Sequence, residues 1–236
     1  MKRFYSTVTA AAGEGGYAIH LDGRPVRTPA RALLLLPGPA LAEGVAEEWR
    51  AQGEAIDPRS MPLTGLANAA IDQVTPDPAA FARGLAEYAK ADLLCYRAES
   101  PAGLVVREAA AWDPLLDWAQ GRYDVHFALA RGIIHEPQPA ETVARLGEAV
   151  AARDAFALAG LSSLVTIGGS LVTALALAEG VVSPEEAFAL THIDEYWQIE
   201  RWGEDAEALQ AREARRRASS PCWTRHLPEL PPYWRY

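Results

Sequence analysis

Residues 155–178 read AFALAGLSSLVTIGGSLVTALALA, a run without one charged side chain, and its interpretation decides the fold. By length it meets the criterion of about 20 apolar residues for crossing a bilayer. By content it does not. Gly160, Ser162, Ser163, Thr166, Gly168, Gly169, Ser170 and Thr173 dilute it, and the flanks Arg153, Asp154 and Glu179 supply neither a Trp/Tyr belt nor a cationic cluster. The run is read as a buried core helix with no membrane insertion. Its small residues let other helices approach closely, so the C-terminal half is expected to be a helical bundle built around it.

Toward the N-terminus the pattern changes to strands. Phe4 to Thr9, Tyr17 to Leu21, Arg24 to Thr28 and Ala32 to Leu36 alternate as strands do; Asp22-Gly23 is a two-residue hairpin signal and Gly13-Glu14-Gly15-Gly16 another turn. One antiparallel sheet is predicted. Pro39 opens a helix through Trp49, Pro62 to Val74 and Pro78 to Lys90 are further helices, and Leu93 to Arg97 reads as a returning strand. From about Pro101 helices dominate, with Asp113-Pro114 read as a helix start. The predicted class is α+β: a small antiparallel β domain with helices over 1–100, a helical bundle over 101–218, and a Pro-, aromatic- and Arg-rich tail over 219–236.

C-terminal to the uncharged run, Ser183-Pro184-Glu185-Glu186 is a capping box that starts a helix, and Gly203 can end it. The stretch from Thr191 to Trp202 reads as a recognition helix. His192, Ile193, Tyr196, Trp197, Ile199 and Glu200 share one arc, with Glu195 beside Ile199 and Trp202 at its edge. A carboxylate on an apolar arc needs a cation or a ligand, because burying it unpaired costs several kcal/mol. Either an internal Arg or His partner or a functional role is open to Glu200, whereas Glu195 and Trp202 are expected to face a partner. Glu204 to Arg217 is expected to form a last charged helix.

Composition narrows the function classes. Of the 236 residues, 50% are hydrophobic and 22% charged, enough to bury a substantial core. The net charge of −9 disfavours nonspecific binding to phosphate backbones and anionic membranes. From Arg212 to Tyr236 the chain carries six Arg against two Glu, a net of +4, leaving −13 on the rest. With Pro221, Pro228, Pro231 and Pro232, that tail reads as an extended strap over the acidic body before it reads as a nucleic-acid platform for Trp223, Tyr233, Trp234 and Tyr236. Cys95 and Cys222 read as free thiols of a reducing compartment. Met1-Lys2-Arg3 leads straight into strand-like residues without a signal or transit pattern, so the protein is expected to stay where it is made. No Walker loop, dinucleotide fingerprint, nucleophile elbow or HExxH helix is present. His192 and Asp194, two positions apart, point to different faces of a helix; a satisfied structural histidine is preferred, and neither metal nor cofactor is expected.

Four ordered blocks carry a family resemblance. They are Lys2-Arg3-Phe4-Tyr5 with Leu21-Asp22-Gly23-Arg24 and Arg27-Thr28-Pro29; Ala46 to Gln52 leading into Met61-Pro62-Leu63-Thr64 and Ala70-Ile71-Asp72; Asp92 to Arg97 with Trp112 to Trp118; and Asp194, Glu195, Trp197, Gln198, Ile199, Trp202 and Gly203. Together they resemble the ATP synthase assembly chaperones that hold the α subunit of the catalytic head. The departures are Tyr196 within the last block and the tail after Ser219. The resemblance implies a monomeric, non-enzymatic binder of the α subunit, in a bacterial cytoplasm or, as a mature form, in the mitochondrial matrix. A lone subunit exposes apolar surface meant for its neighbour, and covering it prevents wrong association.

The residues expected to bind the client are Trp202 and Trp197 as anchors, a rim of Asp194, Glu195 and Glu204, then Glu200, and, as a weaker candidate from the front half, Trp49. The alternative is a small acid/base enzyme using Glu195 or Glu200 with His192 in a cleft between the halves.

Overall fold

The computed structural model describes residues 1–132 and 134–203, together with 209, 210, 212 and 215. Two hairpins begin it. Strand β1 (Val8–Gly13) pairs antiparallel with β2 (Gly16–Leu21), in register from Val8 opposite Leu21 to Gly13 opposite Gly16. Asp22 and Gly23 then turn the chain with φ of 47° and 80°, and β3 (Arg24–Pro25) returns along β2. Both positive φ values are what a two-residue turn demands. The Asp22 carboxylate also accepts from the backbone N–H groups of Ser6 and Thr7, which tethers the start of the chain to the hairpin. Strand β4 (Leu35–Leu36) pairs with the other end of β2, completing the antiparallel sheet.

Helix α1 (Pro39–Arg50) packs against β1 and β2, and Val8, Ile19, Leu21, Leu34 and Leu36 meet Leu41, Ala42 and Val45 in one core. At the far end of α1 the Glu48 carboxylate accepts from the N–H groups of Leu63 and Thr64, capping α2 (Pro62–Ala69), which continues through a π turn to Val74. A carboxylate at a helix N-terminus satisfies donors with no partner inside the helix. Thr28 donates to Asp72 at 2.6 Å, closing the sheet turn onto this helix.

Contacts gather the described residues into two compact units, one of Met1–Asp77 with Asp154–Gly160, the other of Pro78–Arg153 with the residues from Leu161 on. The first unit ends at Asp77, and α3 (Pro78–Ala86) packs against α5 (Ala140–Ala151) in the second. The Leu93–Arg97 strand is corrected. Leu93–Cys95 is a 3-10 turn, and only Tyr96–Arg97 (β5) is extended, pairing parallel with β6 (Ala130–Arg131) rather than joining the sheet.

Two helix readings also change. Helix α4 spans Ala102–Tyr123, so Asp113-Pro114 lies inside it and is not a start. Pro114 is exposed there, and Asp113 is held by Arg97 at 2.7 Å. The uncharged run is two helices, α6 (Ala155–Gly168) and α7 (Leu171–Ala178). Gly169, at φ 68°, stops the first, and the Ser170 hydroxyl accepts from the Thr173 N–H to cap the second. Every residue from Leu171 to Leu177 is buried, and among the described residues no helix is long and apolar enough to cross a membrane. Cys95 is a buried free thiol, its pKa pushed up to about 12 by burial and by the neighbouring Asp92; Cys222 and the expected tail strap over 219–236 lie outside the described residues.

Candidate functional site

The capping box forms as read: the Ser183 hydroxyl accepts from the Glu186 N–H at 3.2 Å, and the Glu186 carboxylate accepts from the Ser183 N–H at 2.7 Å. The helix it starts, α8 (Pro184–Thr191), ends at His192, where φ −124° and ψ 23° break the spiral before α9 (Ile193–Trp202). His192 is buried, stacks on Phe188 with ring centroids 3.9 Å apart, and has its Nδ1 2.9 Å from the Phe188 carbonyl and 3.0 Å from the Thr191 hydroxyl. Burial holds its pKa below the usual histidine value.

Helix α9 is fastened to α4 along Ile193, Trp197 and Glu200, spaced i, i+4, i+7. Ile193 is buried with Trp112, Leu115 and Leu116. Trp197 lies over Gly103, where an added Cβ would come within 2.6 Å of the indole ring. Outward, the Arg201 guanidinium covers the same ring at 4.6 Å. Glu200 receives two parallel bonds from Arg107, each 2.8 Å, and this guanidinium holds its carboxyl below the usual range. Glu200 therefore does share the arc of Ile193 and Trp197, but the expectation of apolar surroundings is corrected: the helix has run past the core by this turn, and both partners are exposed.

The opposite flank of α9 meets residues 212 and 215. Arg215 donates to both oxygens of Glu195 at 2.8 and 2.9 Å, and the Arg212 guanidinium lies 5.4 Å from the Tyr196 ring centre. At the start of the helix Asp194, itself exposed, sits beside the buried Glu108 of α4. Burial first, and then the Asp194 carboxylate, push the Glu108 pKa up, against the Ala98 N–H that donates to it at 2.8 Å. At the other end Trp202 stands 78% exposed. Glu204 lies outside the described residues.

Trp49 is placed in the first unit, half-buried against its core and 5.7 Å from the Tyr5 ring, whose hydroxyl donates to the Trp49 carbonyl at 2.6 Å. It is thus in a different unit from α9. Sequence reasoning missed Gly103, Arg107 and Glu108, the α4 residues that seat α9. The signal available was their helical spacing with Ala111 and Leu115, but nothing in one sequence pairs that stripe with a helix some ninety residues on.

Chemically, the acids and the imidazole named for the alternative are already engaged: Glu195 by Arg215, Glu200 by Arg107, His192 by its own helix. Among the described residues no group of three or more His, Cys, Asp or Glu could hold a metal ion. What α9 offers outward is the exposed Trp202 indole with the charged side chains of Asp194 and Glu200.

Residues 2–120 match the family described as ATP12 chaperone protein. The crystal structure of Atp12 from Paracoccus denitrificans superposes with a TM-score of 0.90 at 43% identity, covering 96% of this chain and 98% of that one; a mutant form of the same protein matches equally well, at 42%. A solved chain from Agrobacterium tumefaciens is 44% identical with a TM-score of 0.88, over 92% of this chain and 83% of that chain. The mitochondrial protein atp12 of Schizosaccharomyces pombe is 24% identical over 233 residues, 93% of this chain and 80% of its own length. The chain belongs to the ATP12 chaperone family, the ATP synthase assembly chaperones whose sequence blocks it shares.

Proposed function

We propose that this protein binds the α subunit of the ATP synthase catalytic head before the subunit meets its β neighbours, and that it does so as a monomer, without catalysis, in a bacterial cytoplasm. The observation that carries the site is Trp202, 78% exposed at the tip of a helix otherwise fastened on both flanks. An indole in that setting supplies a large apolar contact while its helix loses little freedom on binding. Glu195 and Asp194 form the charged rim beside it, and Trp197 and Glu200 hold α9 in place. Membership of a family of ATP synthase assembly chaperones supports a client of this kind: a subunit that exposes apolar surface until its partner covers it needs a cover that the partner can displace.

The test is capture of purified α subunit by wild type, Trp202→Ala and Glu195→Lys, with thermal melts alongside. Each variant is expected to weaken capture by more than about 1 kcal/mol with its fold retained. Full capture by both would place the client contact away from α9.

A further inference from the structure

The sheet of the first unit keeps one long free edge. Strand β1 lies at its end with only β2 beside it, whereas β3 and β4 are two residues each, and β3 consists of Arg24 and Pro25. Charge, Pro, a bulge and brevity are the usual means by which a sheet edge avoids pairing with another chain. Strand β1 has none of them. Its residues, Val-Thr-Ala-Ala-Ala-Gly, carry neither charge nor Pro, and its register against β2 runs unbroken from Val8 to Gly13.

The ladder determines which groups line that edge. In an antiparallel pair, residues alternate between those that bond across to each other and those whose N–H and C=O groups point away. Thr7, one step before Val8, accepts from the Asp22 N–H at 3.1 Å, and Ile19, opposite Ala10, accepts from the Val26 N–H at 2.8 Å on the far side of β2. Val8, Ala10 and Ala12 therefore direct their N–H and C=O groups out of the sheet, and among the described residues none hydrogen-bonds to them. Side chains leave the edge open: Val8 and Ala10 turn theirs to the core, and Thr9, Ala11 and Ala12 are small and exposed.

We propose that the outer edge of β1 receives an extended, Pro-free segment of the α subunit as an added strand. Unpaired N–H and C=O groups recurring about every 7 Å match the backbone of an extended chain, whereas a helix spends its own groups internally. A second copy of this chain fits less well. Each copy carries a net charge of −9, so two approach against repulsion, and a contact about 20 Å long and one strand wide falls short of the roughly 1,200 Å² that a stable pair buries. For a client held at Trp202 as well, one strand is an addition to the contact and not the whole of it. The inference rests on the proposed α-subunit reading and adds to it the form of the bound segment and a site in the first unit.

The experiment uses the full chain and purified α subunit. Ala12→Pro deletes one outward N–H and obstructs the edge, while the bonds between β1 and β2 stay intact. Hydrogen exchange on the wild-type chain, alone and in the complex, is the second measurement and decides the matter should the variant unfold. The expected results are capture weakened roughly tenfold with an unchanged melt, and Ala10 and Ala12 amides that exchange fast alone and slowly in the complex. Full capture by folded Ala12→Pro, or exchange at Ala10 and Ala12 that the α subunit does not slow, overturns the edge while leaving the chaperone reading standing. A wild-type dimer that becomes monomeric in Ala12→Pro overturns it in favour of a second copy. If the wild-type protein captures no α subunit, the parent reading fails and this inference falls with it.

Discussion

Asp92 has no solvent contact, and its carboxylate oxygens accept the N–H groups of Leu94 at 3.1 Å and Val172 at 2.9 Å. Burial pushes its pKa up; the donors at the start of α7, with the Ser170 hydroxyl, pull it back. A single side chain therefore joins the turn before β5 to the most buried helix of the protein. Asp92→Ala strips a partner from donors that cannot reach water, and the expected cost is about 2–4 kcal/mol in urea unfolding. Glu200→Ala is the contrast. Its partner Arg107 is exposed and is hydrated once the pair is broken, so the urea midpoint should stay close to that of wild type. If Glu200→Ala proved as damaging as Asp92→Ala, the exposed placement of Glu200 would be wrong.

At the scale of elements, the break at His192 sets the direction of α9, and it carries a pH dependence with a definite sign. Burial keeps His192 neutral in the fold, with a pKa below the ordinary 6.5. As pH falls through 6.5, the unfolded chain takes up a proton that the native imidazole refuses, so stability present above that pH is lost toward the folded pKa. Glu108 acts oppositely. Its raised pKa means that the native state holds a proton the unfolded chain has released, so its contribution is full below about 4.5, the ordinary value, and is lost as pH rises through the folded pKa. Between pH 7.5 and 6 the histidine contribution lowers the wild-type melting temperature, and His192→Gln is expected to flatten the slope. An unchanged slope in that variant would show that the imidazole titrates freely in the fold.

The same scale shows what one sequence can disclose. The hairpin at Asp22-Gly23, the capping box at Ser183 and the interior character of Leu171 to Leu177 were legible, because each is set by local backbone preference or by the absence of charge, whereas α6 in the same run is largely half-buried with Thr166 exposed. The Gly169-Ser170 break was written there too, as a stop followed by an N-cap, but the surrounding apolar run masked it. Asp113-Pro114 misled because a tertiary tie, Asp113 to Arg97, holds that turn within α4 where local preference would begin a helix. The α4 half of the site was not legible at all, since Arg107 and Glu200 are separated by 93 residues and meet only through the fold.

For the molecule as a whole, the shared family blocks are largely its structural ties. Glu48 caps α2, Thr28 holds Asp72, Asp92 anchors α7, and Arg97 pairs with Asp113 while its guanidinium lies 5.3 Å from the Trp112 ring. Residues spent on holding the fold are not available to a partner, which directs attention to what the ties leave outside, the exposed Trp202 at the end of α9. The most direct measurement is light scattering after gel filtration of the wild-type protein mixed with purified α subunit or purified β subunit, without nucleotide. The account predicts a one-to-one complex with α and none with β. No complex with α, or an equal one with both, would contradict it.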